Sequence, residues 1–180
     1  MYQFTIVEPF NYPLRQTYEA TTKEFDPLQP YIPNVTLIKT LECTEISPHC
    51  VRWYLRFHGD GAIPAIARPV INPTMLRWNE ILICDHEHLT IEWEIIADHF
   101  TEHVHCKGIT YYHEAPHGTN VEIQGTFAIT LDHLPGLPDY VVKKAVNIVE
   151  VFIGKLIEPN IKRFYQAVKQ RMEDELNKKG

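Results

Sequence analysis

Apolar and polar residues alternate from Tyr2 to Glu8, with Tyr2, Phe4 and Ile6 on one side and Gln3 and Thr5 on the other, which predicts a strand. The alternation stops at Asn11-Tyr12-Pro13. Proline suits the first turn of a helix, and Leu14, Tyr18 and Phe25 carry that helix to about Phe25. Pro27, Pro30 and Pro33 end it, leaving room for a short turn around Leu28 to Ile32. From Val35 the period returns to two. Val35, Leu37, Leu41 and Cys43 are expected on one face; after Ser47-Pro48, Val51, Trp53, Leu55 and Phe57 alternate with Arg52, Tyr54, Arg56 and His58. Beyond a link rich in glycine and proline (59–73) come Leu76, Trp78 and Leu82, then Leu89, Ile91, Trp93 and Ile95. Ile109 and Tyr111 follow, and the last set is Val121, Ile123, Phe127, Ile129 and Leu131, with breaks at Asp85-His86, Asp98–Thr101 and Pro116–Gly118. Six strands with one apolar and one polar face each make an antiparallel sheet that is wet on one side.

The last element reads as a helix from about Pro138 to Leu176. Its 39 residues would span about 58 Å at 1.5 Å each, against about 30 Å for a nine-residue strand. It is therefore expected to overshoot the sheet or to bend, with Gly154 and Pro159 as the places where bending is cheap. Val141 to Ile157 is apolar nearly all round and is expected to be buried on most sides, whereas Ile161, Phe164, Tyr165, Val168 and Met172 form a single stripe. The order β-α-α-β6-α predicts an α+β fold in one domain, 1–180, with a curved antiparallel sheet of about seven strands wrapped around the long helix. Such a grip leaves a concave apolar space at one end, the usual kind of small-ligand site.

Composition narrows the chemistry. Seventeen Lys and Arg against 23 Asp and Glu leave a net charge of −6, which argues against a nucleic-acid partner held through its phosphates. The single serine, Ser47, stands in a Ser-Pro turn, so a serine hydrolase is excluded, and no glycine-rich phosphate loop is present. No stretch reads as a secretory signal or a membrane span, because Lys143, Lys144, Asn147, Glu150 and Lys155 interrupt the most apolar run. Cys43, Cys50, Cys84 and Cys106 contain no C-x-x-C pair and read as buried, reduced thiols of a cytoplasmic protein, a mature periplasmic domain being the alternative.

Tyr31-Ile32-Pro33-Asn34-Val35 at the helix-to-strand junction, Trp78-Asn79-Glu80 and Trp93-Glu94 at strand centres, and the long closing helix carry a resemblance. Together with the element order, they make the chain similar to the helix-grip fold of the START-like, or SRPBCC, superfamily over nearly its whole length. That superfamily includes plant pollen-allergen proteins, polyketide cyclases and START lipid carriers; the register looks like an uncharacterised bacterial branch of it, and more distantly like PRELI-type phospholipid carriers. The resemblance implies a cavity for a hydrophobic molecule or lipid. It carries over no catalytic residue.

Trp53, Phe57, Trp78, Trp93, Tyr111 and Phe127 are candidate cavity-wall residues, the alternative being plain core. Glu80, in register with Trp78 and Leu82, is a candidate buried carboxyl that would fix a ligand's orientation or act as an acid or base. His105 and Lys107, in register with Ile109 and Tyr111, are weaker inward candidates. His99, His103 and His105 could share a metal ion, but the spacing is read as ordinary strand and turn histidines, and neither a metal nor a cofactor is expected. The apolar link Gly61 to Pro73 reads as an ordered loop over the sheet edge, with a cavity lid or a flap for transient membrane contact as alternatives. The sequence thus favours a carrier or sensor of a hydrophobic small molecule or lipid. A cyclase or dehydratase, and an interaction or homodimerisation module using the C-terminal stripe, are the other readings.

Overall fold

The computed structural model describes residues 1–60, 72–133 and 135–178. Strand β1 (Tyr2–Phe10) leads into helix α1 (Leu14–Thr22), which starts behind Pro13, and a 3-10 turn, Asp26–Tyr31, follows. Six strands come next: β2 (Val35–Ser47), β3 (Cys50–Gly59), β4 (Arg77–Asp85), β5 (Thr90–Ala97), β6 (Val104–Ala115) and β7 (Gly118–Ile129). Helix α2, Asp139–Asn177, closes the chain. The sheet order is β1-β7-β6-β5-β4-β3-β2, and every neighbouring pair is antiparallel. From β2 to β7 each strand pairs with the next one in the chain, and β1 closes the far edge beside β7.

Side chains alternate between faces along each strand. Register places Trp53, Leu82, Trp93, Gly108, Gly125 and Phe4 side by side, and Leu55, Glu80, Ile95, Cys106, Phe127 and Tyr2 in the next row. Both rows lie on the inner face of the sheet. Helix α2 contacts β1 and β7, then α1 and the 3-10 turn. One end of the inner face is tightly packed: Phe10, Cys84, Val121 and Ile123 are nearly inaccessible, and the same core takes in Tyr18, Phe25 and Leu28 and reaches along β3 to Leu55 and Phe57. The α2 stripe joins them as expected, with Tyr165, Val168 and Met172 buried. Tyr18 meets Tyr112 edge-on at 5.1 Å and His86 at 5.6 Å. Arg171 of α2 donates to the backbone oxygens of Glu24 (2.6 Å) and Ala20 (2.8 Å), satisfying carbonyls at the end of α1 that the helix itself leaves open.

Three expectations are corrected. Val35, Leu37, Leu41 and Cys43 do not share a face: bulges between Val35 and Leu37 and between Thr40 and Glu42 shift the register, so Ile38 is buried while Leu41 is 47% exposed. β2 is an edge strand, where bulges are common and pairing on one side only tolerates them. In β6 the inner positions are Cys106, Gly108, Thr110 and Tyr112, so His105, Lys107, Ile109 and Tyr111 face outward. Finally, the first half of α2 is one-sided. Val142 and Val149 are buried, but Tyr140, Lys144, Asn147, Val151 and Lys155 form an exposed stripe, because the sheet covers only one side of the helix. The helix runs without interruption through Gly154 and Pro159. At Gly154 a β-carbon would stand 3.4 Å from the Tyr2 ring, an ordinary van der Waals contact.

Candidate functional site

Between the packed end and the opposite end, the inner face changes character. Phe4, Trp53, Trp78, Glu80, Trp93 and Ile95 are only half-buried, although all six point inward. In the same row as Glu80 and Ile95, Cys106 and Phe127 are buried again, as are Leu131, Val142 and Val149, yet these five are not part of the contiguous core, which meets Glu80 from the other side at Leu55. Among the described residues Glu80 and Ile95 therefore lie between two buried apolar groups, and Phe4, Trp53, Trp78 and Trp93 are half-buried against the larger of them.

Register puts Leu55 on one side of Glu80 and Ile95 on the other. Its carboxyl is enclosed by protein, and burial alone pushes its pKa up to about 7, with no hydrogen bond or charge among the described residues to offset the rise. The residue nevertheless keeps part of its accessible area. Cys106 and Tyr165 are close enough to feel its charge. Burial lifts the Cys106 thiol to about 12 and the Tyr165 phenol well above its usual range, so both stay neutral at any ordinary pH. Thr110 and Tyr112 stand beside the Tyr165 phenol and oppose that rise, and the Tyr112 hydroxyl lies 2.6 Å from Thr21 Oγ1. A line of hydroxyls thus runs from α1 through β6 to α2 and ends beside Glu80.

The second inward carboxylate, Glu8, is treated differently. It is buried, and Lys169 Nζ of α2 lies 3.3 Å from it while also standing 4.7 Å over the Phe10 ring. Glu8 therefore has its countercharge within the chain.

The aromatic wall is built by close fits. A β-carbon at Gly108 or Gly125 would fall within 3 Å of the Trp93 indole, so these paired glycines let the ring lie flat on the sheet between β6 and β7, with Phe4 stacked near it at 6.2 Å. Trp78 stacks parallel on Phe57 at 5.3 Å, and Trp53 meets Phe25 edge-on at 5.3 Å. The indole N–H groups of Trp53 and Trp78 are buried without a partner in the described structure. Buried donors are normally satisfied, so both are available to an acceptor that enters.

Of the residues singled out in the sequence, Trp53, Phe57, Trp78, Glu80, Trp93 and Phe127 lie on the inner face, with Phe57 and Phe127 fully buried. Tyr111 does not; its neighbour Tyr112 takes the inward position. The sequence places Cys106 among the buried thiols and Tyr165 on the α2 stripe, but it does not mark Glu8, Thr110 and Tyr112 as interior polar groups. Period-two alternation would have found Glu8, which continues the Phe4 and Ile6 series. Arg52 and Arg56 are on the outer face as expected, Arg56 paired with Asp98 and hydrogen-bonded to Asn79. His105 contacts Thr130, and no three histidine, cysteine or carboxylate groups converge among the described residues. Cys84 and Cys106 are buried thiols, whereas Cys43 is exposed and Cys50 half-buried. The link at 61–71 lies outside the described residues. The outer face carries an open depression of about 670 Å³, walled by Ile81, Ile83, Ile109, Glu92, Glu94 and Lys107. No described helix is long and apolar enough to cross a membrane.

No known family model matches the chain, and no curated protein sequence does. Solved structures do match. The aromatase/cyclase Zhui from Streptomyces sp. R1128 superposes with a TM-score of 0.63 at 16% identity, covering 97% of this chain and 94% of that one. TTHA0849 from Thermus thermophilus gives 0.62 at 16% identity, covering 94% and 96%. Ara h 8.0201 gives 0.58 at 16% identity, covering 96% and 98%.

Proposed function

Starting from the helix-grip fold that this chain shares with START-like proteins, we propose that it binds a hydrophobic small molecule or lipid between the inner face of the sheet and α2, as a carrier or sensor acting as a single cytoplasmic domain. The observation that carries this reading is Glu80, an unpaired carboxyl between two buried apolar groups and beside half-buried aromatic rings. A fold that only needed to be stable would gain by filling such a place with packed side chains, since interiors are normally close-packed and buried polar groups partnered. Apolar burial would supply the affinity, at about 25 cal/mol per Å², and Glu80 would set orientation.

The test is organic extraction and mass spectrometry of the protein purified from its native host, alongside native mass spectrometry of the intact chain. A reproducible, stoichiometric apolar molecule is expected. A protein that comes out empty and also fails to take up apolar probes in vitro would overturn the reading.

A second reading has its own support. A carboxyl titrating near 7 is suited to general acid or base work, and one of the superposed structures is an aromatase/cyclase. Glu80→Ala separates the two. A carrier loses affinity, by about tenfold for one hydrogen-bonded orientation group, whereas a cyclase or dehydratase loses turnover with binding retained.

A further inference from the structure

Building on that cavity reading, we infer that the ligand is a hydrophobic amine whose ammonium group pairs with Glu80 and lies against the aromatic wall. Among the described residues the inner face of the sheet holds two carboxylates, and only one of them is paired: Lys169 is committed to Glu8, and no described cation reaches Glu80. The groups that face Glu80 from other elements are Cys106 of β6, Tyr165 of α2 and, behind Tyr165, Thr110 and Tyr112. All are uncharged near neutral pH. An ionised carboxylate held among them is costly, and the missing term is a positive charge. The ligand can supply it.

The surroundings suit a cation. Trp78 stands two residues from Glu80 on the same face of β4, and Trp93 lies diagonally across on β5. Phe57 covers one face of Trp78, and the glycine pair Gly108 and Gly125 one face of Trp93; the other face of each indole would take the ammonium group, which aromatic rings bind electrostatically. An anionic ligand would meet two carboxylates and one engaged lysine, and is disfavoured. A neutral alcohol could accept or donate one hydrogen bond to Glu80 but would leave its charge uncompensated. Chain length is set by the apolar stretch on either side, Ile95 and Phe4 among its residues.

Two probes of equal length decide the matter: decylamine and decan-1-ol, titrated calorimetrically into the full chain at about pH 8 and about pH 5.5. Decylamine stays protonated at both, as an alkyl ammonium group does up to about pH 10. A bound cation holds Glu80 ionised, so protons compete with it: each unit of acidification below Glu80's own value weakens amine binding by up to about tenfold. The expected result is decylamine binding at least about tenfold tighter than decanol at about pH 8, a preference that shrinks at about pH 5.5 and is absent at both in Glu80→Gln. Equal affinities in the wild-type chain at about pH 8, or a preference that survives acid, overturn the amine inference while leaving the cavity in place. Failure of both probes to bind overturns the cavity reading itself. Should Glu80→Gln not fold, the wild-type pair at two pH values still separates these outcomes.

Discussion

Glu80 and Glu8 project from the same face of the same sheet, four strands apart, and the difference between them is one lysine. Lys169 reaches Glu8, and nothing described reaches Glu80, so the first is an ion pair and the second a carboxyl raised from 4.5 to about 7. The unfolded chain gives up the Glu80 proton at the lower value, the folded chain at the higher one. Folding is therefore opposed progressively as pH climbs through that interval, and the full cost, roughly 3 kcal/mol, is present above about pH 7. Glu80→Gln removes the titration but keeps the shape. It is expected to raise Tm at about pH 8 and to leave it close to wild type at about pH 4.5, as followed by thermal denaturation. An equal gain at both values contradicts the unpaired state of Glu80. At this scale the site is legible in the sequence for strands β3, β4 and β5, where large apolar residues mark the inner face. It is not legible in β6, for a physical reason. There the inner positions hold Cys106, Gly108 and Thr110, small residues that make room for Trp93 and face Tyr165, so hydrophobicity points to Ile109 and Tyr111 instead.

Among elements, α1 is the least self-sufficient. It is nine residues long, has no side-chain hydrogen bond at its N-terminal cap and no basic residue in its last turn. Helices this short are marginal in water, so α1 depends on contacts outside itself. Its C-terminal carbonyls are instead met by Arg171, a buried arginine from the far end of α2. Arg171→Leu would leave those carbonyls open and remove charge-assisted hydrogen bonds, at a cost of about 2–4 kcal/mol. Amide exchange in Leu14–Thr22 is expected to rise well beyond that in β6 and β7, as hydrogen-exchange mass spectrometry would show. Uniform loss of protection across the chain would mean that Arg171 acts on the whole fold. The starts of α1 and α2 are legible because prolines mark them, Pro13 and Pro138, whereas α1 ends at Thr22, short of the Phe25 that its apolar spacing suggests. The sidedness of α2 is not, because valine on its outer stripe looks like core in a sequence, whereas Lys144 and Lys155 on the same stripe are the better guide.

On the scale of the molecule, the order of elements is enough to predict the fold, since a meander of strands followed by one long helix has few ways to bury both. The C-terminal stripe, which also suggests a dimerisation surface, is used within the chain. Tyr165, Val168 and Met172 are buried, and Phe164 packs edge-on against Tyr165 at 5.3 Å. Phe164→Asp is accordingly expected to lower stability by about 2 kcal/mol or more, with the oligomeric state kept as in wild type, as native mass and thermal denaturation would report. A change in assembly without loss of Tm would instead restore the interaction reading.

The inner face also decides what light can learn about this protein. All three tryptophans, Trp53, Trp78 and Trp93, stand on it, and none is on the outer surface. Tryptophan emission, excited at wavelengths where tyrosine does not absorb, is thus a signal from the inner face. An apolar guest that expels water from around the indoles will shift it to shorter wavelength.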